Sequence, residues 1–533
     1  MTNIYNIKDL DGKKVIFWGI GKQCISNLER HPAYVPDGFI DTNHYGIEYM
    51  NTIVLNPKEI HDWKSYFFVI TVAYKEISGF LEEKGLKENV DFCDIPTFYA
   101  WDIRTPKQCV SDFGSFMDSN PRYIGGLLIW GALVGKRLTS TLDFYKKYMQ
   151  NEPKIFITRL FGRSDISNYL ASPVFELCGQ VGWDWQNSYD YFKNTGLDLE
   201  KEYYFNLNPQ IKSWVDSLYK KDFDIRKLRS IVSTVYISYE NIIKRMMPRK
   251  VIMWGGWELE CVVLEKICQD NYIPFEYQEF GAIPGTVSID SKGLLGKSNA
   301  YNNPDVISNM NYTENEIRAV DRLISDITTN KTDSMCFDHC TMDYEMRKLD
   351  TNRKTILLCG MCDYIIDKRM DPYFWDNYVS EIVKSSIEAA KILERISEIN
   401  HFNLIFKPHP YMLDYRPDMR RELSDKTIFV AKMSTDTLFE FTDVVVSITS
   451  KVDYRALFYK KPLVILGKSI LCNRDIVYEP KCIEDIEAVI KKALITGYTE
   501  NNERNFKILV AKMLKTVLLD DMSSKPVPCG IVL

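Results

Sequence analysis

The sequence predicts an α/β protein built from repeated parallel β-α-β units, and three observations carry that prediction. An apolar strand pattern runs into a glycine turn at KKVIFWG (13–19) and again at RKVIMWGG (249–256). From KTILLCG (354–360) onward, short apolar runs alternate with segments of helical period. The runs end at Gly, Pro or hydroxyl residues rather than continuing as amphipathic strands. The chain has 533 residues, and at roughly 150 residues per domain that suggests three or four domains. With 45% hydrophobic and 26% charged residues it can build real cores. A formal charge of -5 argues against a surface built to hold nucleic acid. Thirteen cysteines follow no regular frame, and MTNIYNIKDLDGKK lacks the apolar stretch of a secretory signal, so a reducing, cytoplasmic setting is expected.

The first unit, 1–104, reads as a small Rossmann-like domain. Its first strand enters Gly19-Ile20-Gly21-Lys22-Gln23-Cys24, a helix-like stretch follows, and GFIDTN brings Asp41 about twenty positions after the glycines. Strands at NTIVLN and YFFVITVA and a helix-like segment from Glu76 to Lys84 continue the alternation. Cys24 stands where the dinucleotide fingerprint has its third glycine. Two readings stay open. Gly19, Gly21 and Asp41 line a nucleotide or nucleotide-sugar pocket, or the glycines only make the strand-to-helix turn.

The second unit, 105–345, contains KIFITRL as a strand and a Tyr-, Lys- and Asp-rich stretch at 198–230 that reads as helices. Ile124 to Val134, an apolar run with three glycines, is eleven residues long. That is well short of the roughly 20 a membrane-spanning helix needs, so it reads as a buried element. VIMWGG ends in Gly255 and Gly256, a helix follows with Leu259, Val262, Val263 and Ile267 on one face, and PFEYQEF is the next strand. A polar stretch from Ser298 to about Arg353 reads as a linker.

The third unit, 346–533, opens on the strand KTILLCG and a long helix from Tyr373 to Asn400, apolar at Val379, Ile382, Val383, Ile387, Ala390 and Leu393. NLIFKPHP is a strand that stops at a proline, and TDVVVS, a helix through Arg455 to Tyr459, and PLVILG complete the alternation. Lys407 and His409 thus lie just beyond the C-terminal end of a strand, where ligands bind in open parallel sheets. The flanking prolines limit the freedom of the loop. An imidazole there can donate a hydrogen bond to a phosphate oxygen or, protonated, neutralise its charge. Ser447, Thr449 and Ser450 end the next strand and begin a helix, with Thr449 or Ser450 expected as its N-cap and backbone amides open to an anion. Consecutive parallel strands would place both loops on one edge, which suggests a nucleotide site.

FKPHP followed by TDVVVSITSKVDYRALFYKKPLVILG resembles the donor-binding half of bacterial capsule polysaccharide glycosyltransferases of the GT-B type, which are related to teichoic-acid CDP-glycerol glycerophosphotransferases. The resemblance covers about 120 residues. It implies two facing Rossmann-like domains, 105–345 on the acceptor side and 346–533 on the donor side, behind the N-terminal Rossmann-like domain. It further implies that His409, Ser447, Thr449 and Ser450 hold the donor phosphate. Gln278-Glu279-Phe280-Gly281-Ala-Ile-Pro284-Gly285-Thr286 with Asp290 and Gly293 is similar to the Glu-x-Gly-x-x-Pro stretch and trailing Asp-x-x-Gly of capsule transferases, including those that use CMP-activated acidic sugars.

A carboxylate at a strand tip facing a cleft can take the acceptor hydroxyl proton or steady a cationic sugar centre, so Glu279 is the candidate catalytic group beside His409. Gln278 stands where some relatives carry a second acid. Glu258 and Glu260 are rivals that also suit a helix dipole. Lys407, Gly360 and Asp363 are assigned to the donor side, and Gly255, Gly256, Gly281 and Asp290 to the acceptor side. The glycerophosphotransferase branch predicts a histidine in a glycine-rich loop of the first half, yet none occurs between Ile103 and Phe337. That branch stays as the alternative, beside a catalytically inactive nucleotide-sugar-binding protein.

No metal and no cofactor is expected. Asp222-Phe-Asp224 lies in the charged segment KKDFDIRKLR with no strand before it. Cys336, His339, Cys340, Cys359 and Cys362 have zinc-like spacing, but Cys359 ends a strand. Expected partners are a nucleotide sugar and a glycan or lipid-linked glycan acceptor, without nucleic acid. KRMMPRK (244–250) and RPDMRR (416–421) could face anionic lipid, so any membrane contact would be peripheral, at the inner face. Aromatic residues make 13% of the chain. Trp183, Trp185, Tyr189, Tyr191, Trp254, Trp257 and Tyr277 are read as sugar-stacking or core groups.

Overall fold

The computed structural model describes residues 13–21, 24, 28, 36–50, 52–72, 74–88, 90–94, 106–131, 152–158, 174–176, 236, 238–255, 259–329, 344–361, 375–409, 412, 418–431 and 433–520. The described residues up to 249 belong to one compact unit and those from 250 to a second.

The first unit carries β1 (Lys14–Trp18), β2 (Gly38–Ile40), the small antiparallel pair β3 (Glu48–Tyr49) and β4 (Thr52–Ile53), β5 (Tyr66–Ile70), α1 (Tyr74–Glu83) and β6 (Phe92–Asp94). The order β2-β1-β5-β6 is parallel throughout. KVIFW and YFFVI are continuous apolar runs because the sheet is covered on both faces. Val15, Phe17, Phe39 and Val69 join one core cluster, while Ile16, Trp18, Ile40, Phe68 and Ile70 join the other. The unit also contains α2 (Pro106–Ser119) and the parallel strands β7 (Leu127–Trp130), β8 (Lys154–Thr158) and β9 (Val174–Glu176). The apolar run around Ile124 to Val134 therefore holds a buried strand, β7. No helix among the described residues is long and apolar enough to cross a membrane.

The second unit begins with β10 (Lys250–Trp254), α3 (Leu259–Asp270) and β11 (Phe275–Phe280), the β-α-β unit read from the sequence, with β10 and β11 parallel. The chain then reverses into β12 (Thr286–Asp290), antiparallel to β11. The described parts of the segment read as a linker, 298–329 and 344–353, send apolar residues into the core instead. Within them α4 (Glu314–Thr329) buries Ala319, Val320, Leu323 and Ile327. Apolar residues at helical spacing drive that packing, despite the charged opposite face.

The rest of the second unit contains β13 (Thr355–Cys359), α5 (Ser386–Asn400), β14 (Asn403–Lys407), β15 (Ile428–Phe429), α6 (Thr435–Phe439), β16 (Val444–Ser447), α7 (Val452–Phe458), β17 (Leu463–Ile465), α8 (Ile486–Thr496), α9 (Glu500–Met513) and β18 (Leu518–Asp520). The sheet order β15-β14-β13-β16-β17 is all parallel, with helices between successive strands. Alternate residues again part between two cores: Leu357, Ile405 and Val445 on one face, Ile356, Leu358, Phe406 and Val446 on the other. This is the α/β, Rossmann-like fold class expected from the sequence. β18 returns to pair antiparallel with β12, a closure that local pattern does not announce.

The long helix expected from Tyr373 to Asn400 is broken. A π-helical turn, Trp375–Val379, precedes α5. The Ser380 hydroxyl accepts from Ile382 N and Val383 N, both 3.1 Å, and donates to Leu466 O at 2.6 Å. Ser385 then caps α5 by accepting from Glu388 N at 3.1 Å. Two hydroxyls compete for backbone groups that a continuous helix would use itself.

Gly19 is held at φ +103°, and a Cβ there would lie 2.5 Å from Val72 Cγ2 and 2.6 Å from Thr71 Oγ1. Gly19→Ala is expected to destabilise the N-terminal sheet by about 1–3 kcal/mol through backbone strain and this contact. Hydrogen exchange at the β1 and β5 amides checks it; unchanged protection would contradict the close approach.

Candidate functional site

Strand register builds the candidate site. Cys359, the last residue of β13, pairs with Lys407 of β14 on one side and Ser447 of β16 on the other. Three parallel strands therefore stop level, and the loops that carry His409 and Thr449-Ser450 leave from one sheet edge, although β14 and β16 are not consecutive: β15 lies between them in the chain and β13 in the sheet. Gly360 lies against this edge: its N–H donates to Lys407 O at 2.8 Å, and a Cβ would meet Phe406 at 3.1 Å and Pro408 Cα at 3.3 Å. A side chain there would crowd the start of the His409 loop. Asp363 lies outside the described residues.

His409 is half-buried, and its carbonyl accepts from Met412 N at 2.9 Å. Burial, with the charges of Lys407 and Lys451, pushes its pKa down to about 4. The imidazole is neutral near pH 7, so at this edge it offers an N–H hydrogen bond while the lysines supply the positive charge. Lys407 also donates from Nζ to Ala431 O at 3.3 Å.

The hydroxyl-rich turn is closed by Asp453, which the sequence reading passed over. Its carboxyl is fully buried; Oδ1 accepts from the Ser447 hydroxyl and Oδ2 from Ser450 N at 2.9 Å. Burial pushes its pKa up to about 7 against the lowering effect of those two hydrogen bonds. The N-cap of α7 is Lys451, not Thr449 or Ser450. The Ser450 hydroxyl accepts from Val452 N at 3.3 Å, and Thr449 is buried. The only local signal was an acid three residues after a serine, Ser450-x-x-Asp453, a capping-box-like spacing. Behind the turn, Arg455 Nε donates to Asp436 Oδ1 at 2.9 Å and Tyr459 OH to Asp436 Oδ2 at 2.8 Å, fastening α7 to α6.

The residue that follows the Ser447–Ser450 turn meets β11 through an ion pair. Lys451 Nζ lies 2.6 Å from Glu279 Oε1 and 6.0 Å from the centre of the Phe280 ring. Glu279 retains 27% side-chain exposure, whereas its neighbour Gln278 is fully buried. Gln278 Nε2 donates to Glu276 Oε1 at 2.8 Å, and Glu276 pairs with Lys250. Alternation along the strand thus sends position 278 into the interior and leaves 279 to reach Lys451.

The remaining acceptor-side residues shape this strand tip. Gly255, at φ +89°, donates to Gln278 O at 2.8 Å. Gly281 N–H donates to Thr286 O at 2.7 Å across the tight reversal into β12, where a Cβ would collide with Thr286 Oγ1. Asp290 is occupied by the fold: its carboxylate accepts from Lys292 N, Gly293 N, Asn299 N and Ala300 N at 2.8–3.1 Å. Glu260 is buried in the first turn of α3. Gly256, Trp257 and Glu258 lie outside the described residues.

The N-terminal trio is a separate feature of the first unit. Asp41 Oδ2 accepts from Ile20 N at 3.0 Å, between Gly19 and Gly21, and Oδ1 accepts from Asn43 N at 2.8 Å and His44 N at 3.0 Å. Burial raises its pKa, but these hydrogen bonds together hold it below the ordinary carboxylate value. The chain itself thus occupies the carboxylate that the pocket reading gives to a nucleotide or nucleotide sugar.

Other sequence features fall as follows. Tyr277 is fully buried, with its hydroxyl donating to Glu265 Oε2 at 2.5 Å, and Trp254 packs edge-on to Phe280 at 4.9 Å, so both are core groups. Trp183, Trp185, Tyr189, Tyr191, Asp222, Asp224, Cys336, His339, Cys340 and Cys362 lie outside the described residues. Cys359 is buried in the core, where burial pushes its thiol pKa up to about 12. Among the described residues no three His, Cys, Asp or Glu side chains group to hold a metal ion. The basic stretches are paired with acids: Arg245 with Asp118 at 2.7 Å, Arg249 with Glu152 at 2.8 Å, and Arg420 with Glu345 at 3.8 Å.

Residues 382–476 match the model of the family described as capsule polysaccharide biosynthesis protein. The match takes in β14, the His409 loop, the Asp453 turn and α7. No curated protein matches the chain. Among solved structures, a Thermosulfurimonas dismutans KpsC, titled beta Kdo 2,7 transferase, is 16% identical over 53% of this chain and 81% of that one, with a TM-score of 0.35. The corresponding beta Kdo 2,4 transferase gives 13%, 50%, 80% and 0.34. A UDP-GlcNAc 2-epimerase from Methanocaldococcus jannaschii is 11% identical over 72% of this chain and 99% of that one, with a TM-score of 0.33. Likenesses this distant assign no activity.

Asp453 makes stability depend on pH. An unfolded aspartate titrates near 3.8, the folded one near 7. Below both values each state is protonated. Between them only the folded state keeps the proton, so this contribution to stability is lost as pH rises through about 7. His409, held down to about 4, contributes the opposite slope, so the Asp453 contribution is read as a difference: in urea unfolding from pH 4 to 8 the stability of Asp453→Asn relative to wild type is expected to rise with pH up to about 7, and a pH-independent difference would contradict the assignment.

Proposed function

We propose, from the match of residues 382–476 to the model of the capsule polysaccharide biosynthesis family, that the chain is a metal-independent glycosyltransferase. It moves a sugar from a nucleotide-activated donor, CMP-linked donors included, to a growing capsular or other surface glycan, free or lipid-linked. The observation that carries the reading is the 2.6 Å ion pair of Lys451 with Glu279. It joins a carboxylate suited to general-base work to a cationic, phosphate-compatible sheet edge.

In this reading the donor domain is 346–533, the acceptor side lies in 105–345 and a further Rossmann-like domain spans 1–104. The donor phosphate lies beside His409, whose neutral ring donates a hydrogen bond, with Lys407 and Lys451 compensating its charge and the Ser450 hydroxyl donating from a turn whose Ser447 hydroxyl and Ser450 amide stay held by Asp453. Glu279 accepts the acceptor hydroxyl proton as the sugar leaves the donor phosphate. Gly360, Asp363, Gly255, Gly256 and Gly281 shape the approach of the two substrates, and Asp290 holds the loop behind Glu279. The enzyme works in the cytoplasm, where activated sugars are made, and meets a lipid-linked acceptor from the membrane surface.

A thermal-shift screen with CMP, CDP, UDP and GDP identifies the donor class, because a ligand that binds only the folded state stabilises it. His409→Ala is expected to weaken the best nucleotide about tenfold, the worth of one hydrogen bond to a charged group. Calorimetry showing unchanged affinity would remove the donor-site assignment. Glu279→Gln is expected to lower transfer from the matching nucleotide sugar by about 10²–10⁴-fold. Consumption of CDP-glycerol in place of any nucleotide sugar would favour the polyol-phosphate branch, and no transfer by wild type across the donor panel would favour a binding protein.

A further inference from the structure

Lys451 holds a position that neither the motif pattern nor the family match explains. It is the first residue after the Thr449-Ser450 turn, its ammonium lies on Glu279, and its charge also bears on His409. Its side chain keeps 40% exposure, so it is not locked into the interior and has room to turn. Its backbone is firmly placed, since Asp453 fixes Ser450 N on one side and α7 begins on the other. The carboxylate it holds is the group that must be free to accept a proton in the proposed reaction. An ammonium at 2.6 Å occupies one of the carboxylate's oxygens.

We propose that Lys451 is a donor-responsive latch: without nucleotide it holds Glu279, and with nucleotide it turns to the donor phosphate and releases Glu279 to the acceptor hydroxyl. The inference rests on the donor-site reading given above and adds to it an energetic coupling of defined sign. A phosphate beside His409 and the Glu279 carboxylate compete for one ammonium, so each weakens the hold of the other. Reciprocity of linkage requires that removing the Glu279 charge strengthen phosphate binding. Lys451 is a positioning residue in this scheme. It prevents Glu279 from being a free base in the absence of donor.

Coupling of this kind is measurable without turnover. Calorimetric titration with whichever of CMP, CDP, UDP and GDP binds wild type best is expected to show Glu279→Gln binding about two- to five-fold tighter, in the range of a partly exposed ion pair. Lys451→Met, which keeps the apolar stem over Phe280, is expected to bind more weakly than wild type. In the double variant the gain from Glu279→Gln is expected to vanish, and Lys451→Arg is expected to restore it. Thermal unfolding confirms that each variant is folded; Lys451→Gln replaces Lys451→Met if the latter is not. Nucleotide binding that is unchanged or weaker in Glu279→Gln would overturn the latch, as would a gain that persists without Lys451. Absence of nucleotide binding in wild type would instead overturn the donor-site reading itself.

Discussion

The candidate site depends on the register of three parallel strands, in which Cys359 stands opposite both Lys407 and Ser447. A strand buried on both faces cannot slip by one residue without exchanging its two core clusters. Here that would move Leu357 and Cys359 into the place of Ile356 and Leu358. The register is therefore fixed by packing far from the polar loops. Because of it the His409 loop and the Ser447–Ser450 turn leave the sheet at the same height, and the polar arrangement beyond them inherits its geometry.

On that edge the charges are divided by burial. Asp453, wholly enclosed, has its pKa pushed up and serves as a clasp, joining Ser447 and Ser450. His409 has its pKa pushed down to about 4, so at neutral pH its ring carries no charge. The formal charge at the edge lies on Lys407 and Lys451, and Lys451 is the one drawn to the Glu279 carboxylate. An environment in which burial disfavours charge on Asp453 and His409 while the cations stay near the surface suits an anionic ligand, whose charge meets the lysines.

Much of this was legible in the sequence, for a physical reason. Strands buried on both faces appear as unbroken apolar runs, so β1, β5, β10, β13 and β16 declare themselves, and the residues that follow them, including His409 and Ser447, can be placed at strand ends. Contacts set by distant partners are less legible. Nothing around Lys451 points to Glu279, 172 residues away. Nor does PFEYQEFGAIPGTVSID say that its second half returns antiparallel and receives β18. The broken helix before α5 was misread because Ile382 and Val383 kept the helical spacing while Ser380 and Ser385 captured the backbone groups. The sequence leaves the Gly19 turn open to two readings, and the closure of Asp41 onto Ile20 N–H is invisible without the fold.

The most direct test of the account is a crystal structure of the chain with the nucleotide that binds it best. The account predicts a phosphate group within hydrogen-bonding distance of His409 and the Lys451 ammonium, with the Ser447–Asp453–Ser450 clasp intact. A nucleotide seated away from that edge, such as one at the Gly19–Asp41 turn with the His409 edge empty, would contradict it.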